Sequence, residues 1–178
     1  MKKKIFPLLI VFIMCFAAVL ALQIYFGRLN LQVTVEGAAQ YEELFQTERY
    51  TTPEGALVRL KDVQAPVVVV TFWASWCGPC LMEFKELQQF QKKYNNEQIF
   101  FLGINQDENN ALEIIKKFHK EFQLSMAFVE DPQGLIVKKY SVEKIPTSFI
   151  FVKGNLIKRV DGPIEFENEP WESWLKKT

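Results

Sequence analysis

The chain predicts an α/β fold, a mixed β-sheet with helices on both faces, and three observations carry that expectation. Val67-Val68-Val69-Val70 is a β-branched apolar run without polar alternation, the pattern of a strand buried on both faces. Leu81, Phe84, Leu87 and Phe90 follow at helical spacing and mark one stripe of a helix. Short apolar runs and helix-spaced segments then alternate to the C-terminus in the order β-α-β-α-β-α-β-β-α, which fits a layered sheet of this kind.

Taken in order, Gly27 to Gln40 is polar and mixed and reads as a stalk. Tyr41 to Arg49 has the spacing of a short amphipathic helix, and Ala56 to Leu60 alternates as a strand or hairpin arm. Val67 to Thr71 is the central strand, and Gly78 to about Tyr94 the first long helix. Ile99 to Ile104 is a second buried strand. Asn105 to Asn110 is a polar loop, in which Asp107 and Glu108 are expected to cap the helix Ala111 to Phe122. Met126 to Val129 is short and apolar, Asp131-Pro132-Gln133-Gly134 is a turn, and Leu135 to Tyr140 makes one or two helical turns. Thr147 to Val152 and Leu156 to Val160 flank Lys153-Gly154-Asn155, a hairpin signal. Glu167 to Lys176 closes the chain as a helix with Trp171 and Trp174 on its buried face.

The length of 178 residues leaves room for one domain and an appendage. The division expected is 1–27 as a signal anchor, 28–50 as stalk and N-terminal extension, and 51–178 as the folded domain. Basic and acidic residues balance at 21 each. That argues against a nucleic-acid binder, which needs a basic face. Met1-Lys2-Lys3-Lys4 precedes a 22-residue apolar run, Ile5 to Phe26, long enough to span a bilayer, which takes about 20 residues. Three lysines before it and Arg28 after it predict the N-terminus inside and the domain outside. Val19-Leu20-Ala21 offers a signal-peptide cleavage site, but Leu22-Gln23-Ile24-Tyr25-Phe26 carries the apolar run past it, so an uncleaved anchor is expected. Met14 before Cys15 is not the small residue a lipoprotein signal needs.

Chemistry is concentrated in Phe72-Trp73-Ala74-Ser75-Trp76-Cys77-Gly78-Pro79-Cys80. The cysteine pair sits where the buried strand gives way to a helix N-terminus, where free backbone N–H groups and the helix dipole favour a thiolate. Cys77, first and at the helix end, is the expected attacking thiol and is expected to be exposed. Cys80, one turn in, is the expected shielded resolver. Pro79 sets the first turn without an N–H to donate, and Gly78 leaves the approach open. Half a zinc site is the competing reading, but it needs two further ligands and His119 is the one histidine in the chain. His119 lies in Lys116-Lys117-Phe118-His119-Lys120, a solvated basic face, and has no expected role. Trp76 is expected to give substrate a flat apolar surface and Trp73 to pack in the core. The third cysteine, Cys15, is expected to pack in lipid as a small hydrophobe.

Trp-Ala-Ser-Trp-Cys-Gly-Pro-Cys after a hydrophobic strand resembles the thioredoxin active site. The wider pattern resembles the membrane-anchored extracytoplasmic thiol–disulfide oxidoreductases of the TlpA/ResA type. The resemblance runs from about Pro53 to Val160 and includes Pro53-Glu54-Gly55, Gly103-Ile104-Asn105-Gln106-Asp107-Glu108 and Ile145-Pro146-Thr147-Ser148-Phe149-Ile150. It implies a thioredoxin-like fold with a central insertion around Ile99–Val129, no cofactor, and a cis peptide bond before Pro146. It also implies that Pro146 lies against the disulfide and that the Ile145 backbone pairs with an extended substrate.

Two positions depart from the pattern. Thr71 stands six residues before the first cysteine, where cytosolic thioredoxins carry a buried Asp. Glu83, three residues after Cys80, matches a Glu of the ResA-type group and is the expected acceptor of the Cys80 proton. A solvated helix glutamate is the alternative there. Lys85 stands where the group often has Pro, so a straighter helix is expected.

The resemblance implies a reductase of disulfide-bonded exported proteins, apocytochrome c among them, with electrons arriving from a membrane partner of the DsbD/CcdA kind. A copper-handling chaperone on the same fold is the alternative. It takes a Cys-x-x-x-Cys pair with a distant His, whereas this pair is separated by two residues. A thioredoxin-fold peroxidase would need a Pro-x-x-x-Thr-x-x-Cys signature, which the chain lacks.

Overall fold

A computed structural model describes residues 16–18, 20–21 and 37–176. The chain divides into two compact units, Met1–Ala39 and Gln40–Thr178. Residues 16–18 and 20–21 of the first are helical. The rest of the predicted anchor, Cys15 and most of the stalk lie outside the described residues. Among those described, no helix is long and apolar enough to cross a membrane.

The second unit begins ahead of the boundary at residue 51 expected from the sequence. Helix α1 covers residues 37–47. The two-residue strands β1 (Tyr50–Thr51) and β2 (Leu57–Val58) pair antiparallel, and a 3-10 turn, Leu60–Asp62, leads on. The body then runs β3 (Val67–Trp73), α2 (Gly78–Phe90), β4 (Ile99–Asn105), α3 (Ala111–Phe122), β5 (Ala127–Glu130), α4 (Leu135–Lys139), β6 (Thr147–Val152), β7 (Asn155–Asp161) and α5 (Trp171–Lys176). The strand predicted at Ala56–Leu60 is thus shorter than expected, and α5 starts four residues late, because Trp171 opens the helix just after Pro170. Helix α2 runs uninterrupted through Lys85.

The five long strands form one sheet in the order β5-β4-β3-β6-β7. β3 lies at its centre, parallel to β4 and antiparallel to β6. All seven β3 residues are buried, as an unalternating β-branched run requires. Its odd-numbered side chains, Val67, Val69 and Trp73, join the core beneath α2, α3 and α5. Val68, Val70 and Phe72 join the opposite core, with Tyr41 and Phe45 of α1 and Tyr140 after α4. The parallel steps β3-α2-β4-α3-β5 move outward in one direction. Right-handed crossovers therefore put α2 and α3 on the same face, and the return through α4 to β6 falls on the other. Both cores are largely aromatic. Trp73 meets Phe84 edge-on at 4.9 Å between ring centroids and Phe118 at 5.0 Å. Tyr41 lies 4.8 Å from Phe149 on the other face.

The second core holds a polar lock. The Tyr50 and Tyr140 hydroxyls meet at 2.7 Å with both rings fully buried, and burial pushes both phenols up, so both stay protonated. Replacing either by Phe strands the other hydroxyl, at a cost of about 1–3 kcal/mol, whereas replacing both removes the need for a partner. Urea unfolding of Tyr50→Phe, Tyr140→Phe and the double variant should show the double costing clearly less than the sum. Additive losses would mean that the hydroxyls are independently satisfied.

Candidate active site

Strand β3 ends at Trp73, and the chain turns through Ala74, Ser75 and Trp76 into α2. Cys77 is the N-cap of α2, with Pro79 in the first turn. Cys77 and Cys80 form a disulfide with Cα atoms 5.3 Å apart. The Cys80 N–H donates to Cys77 Sγ at 3.2 Å, so a helix-start amide that would otherwise lack a partner is aimed at the sulfur expected to carry negative charge. Cys80 is 1% exposed, as expected of a shielded thiol, but Cys77 is only 4% exposed, which corrects the expectation of an open attacker. The bond draws its sulfur inward onto Cys80, and its N–H is tied back to Ala74 O at 3.1 Å. Gly78 and Pro79 are exposed. Trp76 is 71% exposed and Trp73 fully buried, the division of labour read from the sequence.

Glu83 is not a solvated helix residue. It is 2% exposed and belongs to the inward stripe Cys80, Glu83, Phe84, Leu87 and Phe90. That stripe contains Phe84, Leu87 and Phe90 of the predicted one and adds Cys80 and Glu83 beside them, with Leu81 half-buried against the same core. The Ile164 N–H donates to Glu83 Oε2 at 2.9 Å, and the Thr71 hydroxyl donates to Oε1 at 3.3 Å. Burial pushes the carboxyl from its ordinary 4.5 up to about 7; the Ile164 and Thr71 hydrogen bonds pull it down, and the Glu86 carboxylate pushes it up. A carboxyl poised near neutrality, one helical turn from Cys80, is suited to take and return a proton there. Thr71, at the position where cytosolic thioredoxins carry Asp, is a hydrogen-bond donor to the Glu83 carboxyl.

The Ile145–Pro146 bond is cis, and Pro146 is buried with Ile145 half-buried. Thr147, the next residue, pairs with Phe72 near the end of β3, so Ile145 and Pro146 stand at the same end of the sheet as the disulfide. Trp76, Cys77, Gly78, Pro79, Cys80, Ile145 and Pro146 therefore share that end of the sheet.

Asp107 was expected to cap α3 and does not. Asn110 is the α3 N-cap, in a left-handed conformation and without a side-chain cap bond. Asp107 is buried and turns back to the active-site turn instead. Its carboxylate accepts from the Ser75 N–H at 2.9 Å, the Ser75 hydroxyl at 2.7 Å and Asn105 Nδ2 at 2.7 Å. Parallel pairing of β3 with β4 sets Trp73 opposite Asn105, so the polar residues after β4 lie beside the turn after β3. Its position just beyond the predicted end of β4 was the available signal. Ile164 could not be found this way, because its contribution is a backbone amide.

Comparison with known proteins agrees with this geometry. The AhpC/TSA family matches residues 43–160. A thiol-disulfide oxidoreductase ResA of Bacillus cereus is 33% identical over 128 residues, 71% of this chain and 72% of its own. The sporulation thiol-disulfide oxidoreductase A of Bacillus subtilis is 30% identical over 156 residues, 82% of this chain and 92% of its own. The crystal structure of StoA from Bacillus subtilis has a TM-score of 0.57 at 26% identity and covers 71% of this chain and 93% of that one.

Two outcomes follow from the buried carboxylates. The Glu83 carboxyl is raised in the folded state, so the unfolded chain loses its proton first as pH rises. Its contribution to stability is fully present below about pH 4.5 and is lost by about pH 7. The oxidised wild type should therefore lose on the order of 3 kcal/mol across that window relative to Glu83→Gln, read from denaturant midpoints at a series of pH values. Parallel curves would refute a buried neutral Glu83. Asp107→Ala leaves the Ser75 amide without its acceptor and should destabilise by about 1–3 kcal/mol in the same assay. An unchanged midpoint would show the turn to be held by other contacts.

Proposed function

The chain belongs to the AhpC/TSA family, and within it to the thiol–disulfide oxidoreductases of the ResA type; from that premise we propose that it is a membrane-anchored reductase of protein disulfides in exported proteins. The family's name does not bring peroxidase chemistry with it. Val70 and Ala74 stand seven and three residues before Cys77, where the peroxidase signature needs Pro and Thr.

The observation that carries the proposal is the pairing of a Cys77–Cys80 disulfide at a helix N-terminus with a buried Glu83 one turn beyond. In the reduced protein the Cys77 thiolate attacks one sulfur of a client disulfide. A mixed disulfide forms, and the client's other sulfur leaves as a thiolate and takes a proton. Cys80 gives its proton to Glu83 and attacks Cys77 Sγ. The second client thiolate leaves, and the protein is left with the intramolecular disulfide described above. The client gains two electrons and two protons, and a membrane dithiol donor of the DsbD/CcdA kind restores the Cys77 and Cys80 thiols. Trp76 and the Ile145–Pro146 segment flank the place where an extended client would lie. The Gly78-Pro79 pair between the cysteines supports the reducing direction, by its resemblance to reducing thioredoxins. The apolar run Ile5–Phe26 behind three lysines supports the anchor and the outward-facing domain. Apocytochrome c, whose cysteines must be reduced before haem attachment, is the client class this reading favours.

Cys80→Ser should accumulate mixed disulfides through Cys77 on non-reducing gels, and Cys77→Ser should accumulate none; trapping through Cys80 instead would reverse the order of attack. Equilibration with a dithiothreitol redox buffer should give a reduction potential near about −270 mV, the value of thioredoxin. A potential near about −120 mV, as in DsbA, would make the protein an oxidant.

A further inference from the structure

Thr71, the one polar residue of β3, and Ser148, beside Thr147 at the start of β6, are both fully buried. They are direct partners across the antiparallel β3–β6 pair, so their side chains stand on one face of the sheet. The Ser148 hydroxyl donates to Thr71 Oγ1 at 2.9 Å, and the Thr71 hydroxyl donates onward to Glu83 Oε1 at 3.3 Å. A hydroxyl has one proton and two lone pairs. Because Ser148 donates into one of those lone pairs, Thr71's own proton is left to point at the carboxylate.

We propose that Ser148 and Thr71 form a reversible two-hydroxyl chain that positions the proton of Glu83 and sets the pH at which the site resolves its mixed disulfide. With Glu83 ionised, the chain runs Ser148 to Thr71 to Oε1. When Glu83 takes the Cys80 proton on Oε1, that O–H donates to Thr71 Oγ1, and the Thr71 proton turns toward Ser148 Oγ. The Ile164 amide stays on Oε2 in both states. The Glu83–Thr71 and Thr71–Ser148 contacts are then kept in both protonation states with their direction reversed, which a Val at either strand position would prevent. Hydrogen bonds to charged groups are the stronger kind, so the chain favours the carboxylate and opposes the effect of burial. On its own helix Glu83 has Cys80 and the charge of Glu86 as neighbours. β3 and β6 present hydroxyls to it, and the 162–166 segment a backbone amide, its Glu165 being exposed.

The inference rests on the reading that Glu83 is the acceptor of the Cys80 proton. Both are tested by the pH–rate profile of insulin reduction driven by dithiothreitol, using full-length protein and Thr71→Val, Thr71→Ser, Ser148→Ala and Glu83→Gln. Thr71→Val should move the acidic limb up by about one pH unit, roughly a tenfold loss of rate below the limb, and leave the high-pH plateau unchanged. Thr71→Ser should restore the wild-type limb, and Ser148→Ala should shift it in the same direction as Thr71→Val but by less. A Thr71→Val profile that superposes on the wild type, or a Thr71→Ser shift as large as that of Thr71→Val, overturns the hydroxyl chain. If Thr71→Val does not fold, the Ser148→Ala shift decides, and its absence overturns the chain. Glu83→Gln separates the two claims: loss of the limb there with no effect of Thr71→Val retains the proton acceptor and removes the chain, whereas an unmoved limb in Glu83→Gln removes the acceptor itself.

Discussion

Glu83 is a carboxyl group carried into a core, and the arrangement around it depends on keeping it there. Burial of an ionised carboxylate is costly unless donors meet it. Two donors do, from elements far apart in sequence: the Thr71 hydroxyl on the central strand and the Ile164 amide after β7. The central strand must therefore carry a hydroxyl where its neighbours carry isopropyl groups, and the 162–166 segment must lie along the flank of α2. The helix must also begin at Gly78 and not a residue later, because a shift of one residue turns Glu83 about 100° away from the sheet. The same start makes Cys77 the N-cap and directs the Cys80 amide at its sulfur. One choice of helix register thus sets both the Cys77 sulfur at the helix start and the Glu83 carboxyl in the core.

The active-site turn has a separate support. Asp107 holds the amide and hydroxyl of Ser75, and Asn105 braces Asp107 by donating to its carboxylate and accepting its N–H. The turn is therefore held from the neighbouring parallel strand as well as by the N–H of Cys77, which donates to Ala74 O. Bond making and breaking at Cys77 and Cys80 can proceed while Trp76, between the two supports, keeps its exposed place.

Much of this was legible in the chain. The unalternating valines gave a central strand buried on both faces, and the Cys-Gly-Pro-Cys junction placed the chemistry at its end. Ala111–Phe122 and Thr147–Val152 were read to the residue, because their periodicity begins and ends sharply. What escaped was whatever depends on a partner remote in sequence. The spacing of Glu83 put it one turn after Cys80 and one residue before Phe84, at the edge of the predicted apolar stripe, where a polar side chain reads equally as facing water or the sheet. The signal lay in two polar residues, Thr71 alone in β3 and Ser148 near the start of β6, inside strands too apolar to leave them unpartnered. Asp107 sits where helix caps are common, and only the β3–β4 register shows that the turn before Cys77 competes for it and wins. The burial of Cys77 beside Cys80 belongs to the closed disulfide and its packing, which no sequence pattern encodes.

The Ile164 amide has a consequence for the order in which the enzyme comes into being. A ribosome delivers Cys77, Cys80 and Glu83 first, and the Ile164 amide that meets the Glu83 carboxylate follows 81 residues after it. A nascent polypeptide that has both cysteines but not yet residue 164 carries a glutamate open to water, with an ordinary acidity and no claim on the Cys80 proton. Such a chain can close its disulfide but is poorly equipped to pass it on. On the proposed reading of Glu83, competence for exchange thus arrives only once residue 164 has been made and its segment lies down along α2.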